Sequence, residues 1–425
     1  MVQASPNTSK TDLFSKRTRH AYVLTRILDT PFWAIYNMLP FILYKDLHAT
    51  PFQIAAMIAL KPLVSLLSMY WSAAINKRRD RLISNIIWAR FLGYIPFLAF
   101  PFISNVWFFI CAFGLYMMLA VGIVPAWMEV LKLNIPSKSR EKVFSYTQAF
   151  GYMGGGLLPF AIGWVLDGYF EAWRWIFPVC TVVALTALYF QKRILIPPLP
   201  HEVPESKLTS LSLTDEIFKP WKNARDLLVQ RPDFKHYQIG FMIFGSGLMI
   251  MQPALPIYFV DILNLSYTEL AIALTLCKGI GFAIASPLWS RLIHQANIYL
   301  FCSWIAGLAC LFPLCLILAK VQLFWLYAGY LGYGIMQSGN ELNWNMSGPI
   351  FAKNDDSSAY SSLNIIAVGI RGAIVPLVGS LLCTAASSFA VMLIGGIICL
   401  YASKRFFYYS REQRLPSIAA AAASH

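Results

Sequence analysis

Residues 51–75 read PFQIAAMIALKPLVSLLSMYWSAAI, and this stretch decides the fold because its 25 residues are enough to cross a bilayer as one helix. The polar segment that follows it consists of Asn76, Lys77, Arg78, Arg79, Asp80 and Arg81. Apolar sequence then resumes at Leu82. Several basic residues in so short a segment are typical of a cytoplasmic loop between two membrane spans. We therefore expect two transmembrane helices joined by this loop.

Lys61 interrupts the first of these spans, ten residues after Pro51. At 1.5 Å per residue this position is about 15 Å deep, near the middle of the bilayer. A lysine at that depth is costly unless it faces protein or water, so it is a candidate functional residue. A second apolar stretch, 267–289, carries Lys278 at nearly the same depth. Two buried cations in matching positions indicate a transporter.

The composition supports a membrane protein. Of the 425 residues, 58% are hydrophobic and 13% are charged. A soluble domain has roughly 25% charged residues, so most of this chain is expected to face lipid. The net charge of +14 lies mainly in loops beside the spans. That placement favours orientation of the chain in a membrane over nucleic-acid binding.

The chain has no sequence pattern of an enzyme or of a metal site. Its eight cysteines lie within or beside predicted spans, and none is part of a Cys-x-x-Cys pair. This distribution supports neither a zinc site nor a disulfide framework. The sequence also lacks a nucleotide-binding loop and a Gly-x-Ser-x-Gly motif. We therefore expect no enzymatic activity, no cofactor and no metal.

Twelve segments have the length and apolar composition of membrane spans. They are residues 21–44, 51–75, 82–103, 106–131, 143–166, 173–194, 236–260, 267–290, 296–318, 321–346, 358–382 and 387–407. Basic residues are concentrated in the loops of one side, which the positive-inside rule assigns to the cytoplasm together with both termini. The prediction is an all-α, multi-pass protein of the cell membrane, with the bacterial inner membrane as the expected location.

A polar segment, 195–235, divides the spans into two groups of six. Its prolines and charges exclude a span, and Thr214 followed by two acidic residues indicates the start of a short helix on the membrane surface. The predicted domains are an N-terminal six-helix bundle, a cytoplasmic linker, a C-terminal six-helix bundle and a cytoplasmic tail. Their boundaries are 1–194, 195–235, 236–408 and 409–425.

The two groups of spans are weakly related in sequence. A displacement of 217 residues superimposes several glycine, proline, aromatic and lysine positions. The matched pairs are Lys61 with Lys278, Tyr116 with Tyr333, Gly122 with Gly339, Trp127 with Trp344, Gly155 with Gly372 and Pro159 with Pro376. Since the displacement equals six spans plus the linker, both bundles have the same orientation, and this is a known plan of transporters.

This layout resembles the major facilitator superfamily of transporters. That family has two six-span halves, a long central loop and a loop signature after span 2, Gly-x-x-x-Asp-Arg-x-Gly-Arg-Arg. Here the corresponding residues are 72–81, SAAINKRRDR, with Ser72 in place of the glycine and Asn76 in place of the aspartate. The resemblance implies that residues 76–81 form a gating loop and that the first span lines a central cavity.

In span 1, Asp29, Trp33, Tyr36 and Asn37 recur at steps of three or four and so share one face of a helix. The resemblance implies that this face lines the cavity and that Asp29 carries a coupling proton. The alternative is a structural ion pair with Arg26, one turn earlier. Both interpretations stay open at the level of sequence.

In span 10, a stripe of Tyr333, Gln337, Glu341 and Trp344 is too polar for a lipid-facing surface. We predict that these side chains line the cavity and that Glu341 is a second candidate for ion coupling. Arg90 of span 3, in contrast, is expected to stabilise the cytoplasmic end of its bundle.

Three cations, Lys61, Lys278 and Arg371, lie near mid-depth with no acid at the same depth in their own spans. They predict a site for a negatively charged solute, with Tyr36, Asn37, Tyr333, Gln337 and Trp344 as further binding residues. The alternative is that the cations pair with Asp29 or Glu341, or extend toward the interface.

The predicted function is secondary active transport of a small, anionic organic solute by alternating access, coupled to a proton or a counter-anion. The alternative is proton-coupled efflux of a drug or metabolite. A monomer in the lipid bilayer is expected.

Overall fold

The computed structural model describes residues 6–77, 81–136, 155–196, 213–295, 297–352 and 357–422. These residues are almost entirely helical and contain no strand. Eight helices among them are long and apolar enough to cross a membrane. The prediction of an all-α, multi-pass membrane protein is therefore confirmed. The count of twelve spans and the repeat between the two halves stay predictions.

The eight candidate spans are Leu82–Phe102, Val106–Asn134, Trp173–Gln191, Pro232–Ile262, Tyr267–Ile293, Ile298–Leu318, Leu363–Ala385 and Ser388–Glu412. Two shorter apolar helices, Pro51–Val64 and Gly155–Gly168, coincide with parts of the predicted second and fifth spans.

The helices up to residue 191 are α1 (Pro6–Tyr36), α2 (Leu39–Leu47), α3 (Pro51–Lys77), α4 (Leu82–Tyr94), α5 (Val106–Gly122), α6 (Val124–Asn134), α7 (Gly155–Gly168), α8 (Trp173–Leu185) and α9 (Ala187–Gln191). A 3₁₀ segment, Ile95–Phe102, extends α4.

The helices from residue 213 onward are α10 (Leu213–Gln230), α11 (Pro232–Met251), α12 (Ala254–Ile257), α13 (Tyr267–Ala271), α14 (Lys278–Gln295), α15 (Ile298–Leu318), α16 (Phe324–Ala352), α17 (Ser357–Ala385) and α18 (Ser388–Ala422). Two π-helical segments, Tyr258–Ile262 and Ile272–Cys277, follow α12 and precede α14. The linker helix predicted near Thr214 is α10, which begins one residue earlier.

The predicted first span, 21–44, is not one continuous helix. It ends at Tyr36 and resumes at Leu39 as α2, after a short turn. Pro40 is tolerated at the start of α2 because the first N–H groups of a helix have no acceptor within it. Asn37 lies in this turn, where its side chain donates to the carbonyl of Trp33 at 2.8 Å. The polar stripe of α1 is therefore interrupted before Asn37.

The chain forms two compact units. Unit 1 consists of Met1–Ala49, Leu63–Ser206 and Ser266–Ala271. Unit 2 consists of Thr50–Pro62, Lys207–Leu265 and Ile272–His425. The first half of α3 thus belongs to unit 2, and α13 belongs to unit 1. The domain boundaries expected from the sequence stay a prediction.

Aromatic rings form the centre of unit 1, where α1 packs against α8 and α4 packs against α5. Phe32 is fully buried and lies 4.7 Å from Tyr94, 4.8 Å from Phe97 and 4.9 Å from Tyr116, measured between ring centroids. Aromatic pairs at these separations stabilise a core by about 0.5–1.5 kcal/mol beyond area burial. This packing fixes the face of α1 that also carries Asp29.

Asp167, just after the predicted fifth span, caps the N-terminus of α13 within unit 1. Its two carboxylate oxygens accept from the backbone N–H groups of Tyr267 and Thr268 at 2.7 and 2.8 Å. The Lys45 ammonium lies 4.5 Å from the centre of the Tyr267 ring. Burial raises the pKa of the nearby Asp46 carboxyl. The negative charge of Asp167 at the N-terminus of α13 is favourable, so α13 is anchored to unit 1.

Two glycines allow close approach of α14 and α16 in unit 2. A Cβ atom at Gly334 would lie 2.0 Å from the carbonyl oxygen of Lys278. A Cβ atom at Gly281 would lie 2.1 Å from the carbonyl oxygen of Leu331. Only glycine fits such backbone contacts, which are common between membrane helices. The backbone of Lys278 is therefore fixed against α16.

Candidate functional site

Asp29 of α1 forms a buried ion pair with Arg90 of α4. Arg90 Nη1 donates to Asp29 Oδ2 at 2.9 Å, and Arg90 Nη2 donates to Asp29 Oδ1. Both side chains are at most 10% exposed. Arg90 Nη2 also donates to the carbonyl oxygen of Ala184 at 2.8 Å. A bidentate guanidinium–carboxylate pair is the strongest arrangement of these groups, so it holds α1, α4 and α8 together.

Two tyrosines complete the surroundings of Asp29. The Tyr94 hydroxyl donates to Asp29 Oδ1 at 2.8 Å and lies 3.3 Å from the hydroxyl of Tyr116. The Arg90 guanidinium lies 4.9 Å from the centre of the Tyr94 ring. These groups line a cavity of about 140 Å³ in unit 1. Arg26 and Trp127 line the same cavity.

Tyr36, predicted to bind substrate, is buried in unit 1. Only 2% of its surface is exposed, and its hydroxyl donates to the carbonyl oxygen of Phe113 at 3.1 Å. Its ring stacks on that of Phe113 at 4.5 Å between centroids. Trp33 rather than Tyr36 lines the cavity beside Asp29. The predicted binding role of Tyr36 stays a prediction.

In unit 2, the structure brings Lys61 and Lys278 together. Lys278 is within Coulombic range of both Lys61 and Glu341. Its ammonium also lies 5.5 Å from the centre of the Tyr333 ring. Lys278 is half-buried, while Lys61 and Glu341 are exposed. Two cations, one carboxylate and an aromatic face thus form a mixed charged cluster with a net positive charge.

The polar stripe of α16 presents two acceptor atoms without a partner. Gln337 Oε1 and Asn340 Oδ1 are both buried, and neither has a hydrogen-bond partner among the described residues. They occur one and two turns after Tyr333, which the Lys278 ammonium contacts. Buried polar atoms in native proteins are nearly always hydrogen-bonded. Such acceptors are therefore suited to a bound molecule that carries N–H or O–H groups.

Arg371 of α17 is buried, with 6% of its surface exposed. Its Nη1 donates to the carbonyl oxygen of Phe241 at 2.7 Å, and its guanidinium lies 4.9 Å from the centre of that ring. The backbone beside it contacts α3, because a Cβ atom at Gly372 would lie 2.1 Å from Pro62 Cγ. Arg371 thus joins α17 to α11, and its predicted contact with substrate stays a prediction.

Trp344, the last of the predicted binding residues, lies on α16. Trp344 is half-buried and packs on Phe241, with 5.9 Å between ring centroids.

In the predicted gating loop, Arg78, Arg79 and Asp80 lie outside the described residues. The loop ends at Arg81, which is exposed at the start of α4. The side chains of Asn76 and Lys77 also lie outside the described part of the chain.

Sequence reasoning missed the partners of Asp29. It considered Arg26, a neighbour on the same helix, and assigned Arg90 to the end of its bundle. A signal was present, because Arg90 is a charged residue within an apolar span and such a residue requires a counter-charge. Tyr94 lies four residues after Arg90 and therefore on the same face of α4. Neither residue's partner could be identified without the packing of α1 and α4 against α8.

A family model described as Major Facilitator Superfamily matches residues 23–367. This chain belongs to the Major Facilitator Superfamily. The resemblance derived from the layout of spans and from the loop after span 2 is therefore confirmed. Membership also establishes the chain as a transporter, not an enzyme. Among curated protein sequences, none is significantly similar to this superfamily member.

Solved structures of other transporters have the same fold as this superfamily member. The nucleoside transporter NupG has a TM-score of 0.64 and 10% identity, over 92% of this chain and 98% of that one. A POT family transporter in complex with 5-aminolevulinic acid has a TM-score of 0.67 and 12% identity, over 93% and 96%. The POT family transporter PepTSo has a TM-score of 0.64 and 13% identity, over 94% and 99%. At these identities the likeness establishes the fold alone.

Proposed function

We propose that this superfamily member is a secondary active transporter of a small organic solute with net negative charge. The observation that carries the proposal is the proximity of Lys61 and Lys278 in unit 2. Cations placed within membrane spans are costly unless they face a cavity or a counter-charge. An anionic group between the two ammonium groups supplies that counter-charge through charge-assisted hydrogen bonds.

The neighbouring acceptors narrow the chemistry of the solute. Gln337 Oε1 and Asn340 Oδ1 have no hydrogen-bond partner among the residues that the structure describes, so a solute that binds there should carry donors. Glu341 adds a carboxylate to the same cluster. The solute we propose therefore carries a carboxylate or phosphate together with hydroxyl, amide or ammonium groups. The 5-aminolevulinic acid bound by one structural relative has both a carboxylate and an ammonium group, and it is a reasonable first compound to test.

Glu341 is our candidate for the coupling step. It is exposed and close to Lys278, so binding of an anion or a proton there changes the charge balance of the same cluster. Asp29, the other candidate, is held in a bidentate pair with Arg90 and also accepts from Tyr94. Three donors thus hold the Asp29 carboxylate in place between α1 and α4. We therefore propose a structural role for Asp29 and a coupling role for Glu341.

Proton-coupled efflux of a cationic or neutral compound is the second candidate. Tyr333 beside Lys278 and the half-buried Trp344 offer aromatic surface that would suit such a compound. The charge of the cluster favours the anion, because two lysines outnumber the one glutamate. The two candidates differ in the charge of the molecule that binds.

The proposal is tested by a binding screen on the purified full-length protein. Compounds of similar size should be compared in matched sets that differ only in charge, such as an acid, its amide and the corresponding amine. We expect thermal stabilisation by acids at concentrations where the amides and amines have no effect. Stabilisation by amines in preference to acids would contradict anion transport and favour efflux.

We propose further that both termini and the linker face the cytoplasm in the inner membrane of a bacterium. The proposal rests on the excess of basic residues in loops of one side. In a cysteine-free background, a membrane-impermeant thiol reagent added to intact cells should label Val321→Cys and should not label Arg291→Cys. Val321 is 86% exposed and Arg291 is also exposed, so both cysteines are accessible once their side is reached. The opposite labelling pattern would overturn this orientation.

A further inference from the structure

An apolar groove of about 550 Å³ lies between α10, α11 and α17 in unit 2. Each of the three helices contributes apolar side chains to its wall. They are Leu228 and Val229 of α10, Ile239 and Met242 of α11, and Ile366 and Ile370 of α17. Volumes of roughly 300–1,000 Å³ are typical of small-molecule sites. The groove is therefore large enough for an extended hydrocarbon chain.

The groove is open and apolar at the outer surface of unit 2. Val229 is 74% exposed, and Ile239 and Ile370 are each 37% exposed. The segment from Pro232 to Ile262, which includes Ile239, is a candidate membrane span. The groove thus lies where a span begins and where α10 ends. Apolar surface of a membrane span that protein does not cover faces lipid.

Two cations adjoin this apolar groove. Arg225 of α10 and Lys235 in the first turn of α11 are both exposed, and both belong to its wall. Cations at a membrane surface attract the head groups of anionic lipids. The combination of an apolar groove with two cations matches a phospholipid, which has hydrocarbon chains and a negatively charged phosphate.

Hydrogen bonds hold the groove in shape. Gln238 Nε2 donates to Asn364 Oδ1, and Asn364 Nδ2 donates to Ser347 Oγ at 2.9 Å, which joins α11, α17 and α16. Arg231, between α10 and α11, donates to the Tyr360 hydroxyl at 2.7 Å and to the carbonyl oxygen of Phe351 at 2.9 Å. Arg231 therefore ties the junction of α10 and α11 to α16 and α17.

We propose that this groove binds one anionic phospholipid from the leaflet on which α10 lies. One acyl chain occupies the groove, and the phosphate lies between Arg225 and Lys235. The bound lipid connects the linker helix to α11 and α17. This site is separate from Lys61 and Lys278 and does not depend on the identity of the transported solute.

The test compares phosphatidylglycerol with phosphatidylcholine of the same acyl chains, added to delipidated full-length protein and detected by native mass spectrometry. We expect one phosphatidylglycerol to be retained in preference to phosphatidylcholine. Arg225→Gln and Lys235→Gln should each lower its retention about fivefold, which corresponds to ~1 kcal/mol per cation. Lys222→Gln is the matched control, because Lys222 is exposed on the same helix outside the groove. Equal effects of all three substitutions, or equal retention of both lipids, would overturn the proposal.

A second pair of variants tests the hydrocarbon part of the site. Ile239→Trp fills the groove and should reduce phosphatidylglycerol retention while both cations remain. Ile374→Trp is its control, since Ile374 is 56% exposed on α17 outside the groove. Glycerol phosphate without acyl chains should not compete with the lipid. Competition by glycerol phosphate, or unchanged retention in Ile239→Trp, would show that only a phosphate site exists and would contradict lipid binding.

Discussion

Asp29→Asn is expected to destabilise the protein by about 3–5 kcal/mol, because it leaves the buried guanidinium of Arg90 without a counter-charge. The asparagine side chain retains the shape of the carboxyl group, but only one of its two terminal atoms can accept a hydrogen bond. The loss therefore comes from the missing charge and the missing acceptor for Arg90, and not from a cavity. Breaking one partner of a buried ion pair is among the most destabilising single substitutions.

The measurement is the shift of the unfolding transition in detergent relative to the wild type. Asp226→Asn is the matched control, because it removes a carboxylate from the exposed surface of α10. The double variant Asp29→Asn with Arg90→Gln removes both charges and should recover most of the lost stability, since replacing a whole buried pair is often nearly neutral. A destabilisation no larger than that of Asp226→Asn would contradict the ion pair.

The double variant also separates the two roles considered for Asp29. If Asp29 is structural, as we propose, the double variant should keep uptake driven by a pH gradient. If Asp29 exchanges the coupling proton, the double variant should be stable but should retain only solute exchange. If Glu341 is the coupling residue, Glu341→Gln should retain only solute exchange. If Asp29 is the coupling residue, Glu341→Gln should keep uptake driven by a pH gradient. Loss of gradient-driven uptake in the stable double variant would overturn our assignment.

Lys61→Gln and Lys278→Gln are each expected to weaken binding of the anionic solute by about 1.5–3 kcal/mol, the contribution of a hydrogen bond to a charged group. This corresponds to a roughly tenfold to hundredfold rise in the dissociation constant. Glutamine keeps a hydrogen-bond donor at each position, so the loss reflects the positive charge. The two lysines are in Coulombic range of each other, so removing one also relieves their repulsion, and the effects should not be additive.

These affinities can be measured by titration of the purified variants with the best acid from the binding screen. Lys320→Gln is the control, because Lys320 is an exposed lysine at the end of α15 outside the cluster. Unfolding temperatures should be near that of the wild type, since Lys61 is exposed and Lys278 is half-buried. Unchanged affinity in both variants would contradict the anion site and favour a structural role for the lysines.

The class of multi-pass membrane protein could be predicted from the sequence because insertion into a membrane depends on local composition. A helix that faces hydrocarbon must be apolar along its whole length, so a window of about 20 residues contains the signal. The same one-dimensional argument identified Lys61 and Lys278, because a charge within an apolar window is conspicuous. Their matching depths stay a prediction, which rests on the displacement between two stretches of sequence.

The partners of the charged residues could not be predicted in this way. Sequence proximity points to Arg26 as the partner of Asp29, because Arg26 lies one turn earlier on the same helix. The packing of α1 and α4 against α8 instead brings Arg90 into a bidentate pair with Asp29. The partner of Arg371 could not be predicted either. Its acceptor is the backbone carbonyl of Phe241, and every residue in the chain has such a carbonyl group.

The sequence alone therefore determined that the chain is an all-α membrane protein and which charged residues interrupt its apolar segments. The tertiary structure decided that Asp29 is held by Arg90 and Tyr94, that Lys278 lies beside Lys61 and Glu341, and that α10, α11 and α17 enclose an apolar groove. The sequence and the tertiary structure supply different information because the transfer of a segment into lipid depends on that segment's own composition. Ion pairs, hydrogen bonds and cavities depend instead on distances between segments far apart in the chain, and only packing sets these distances.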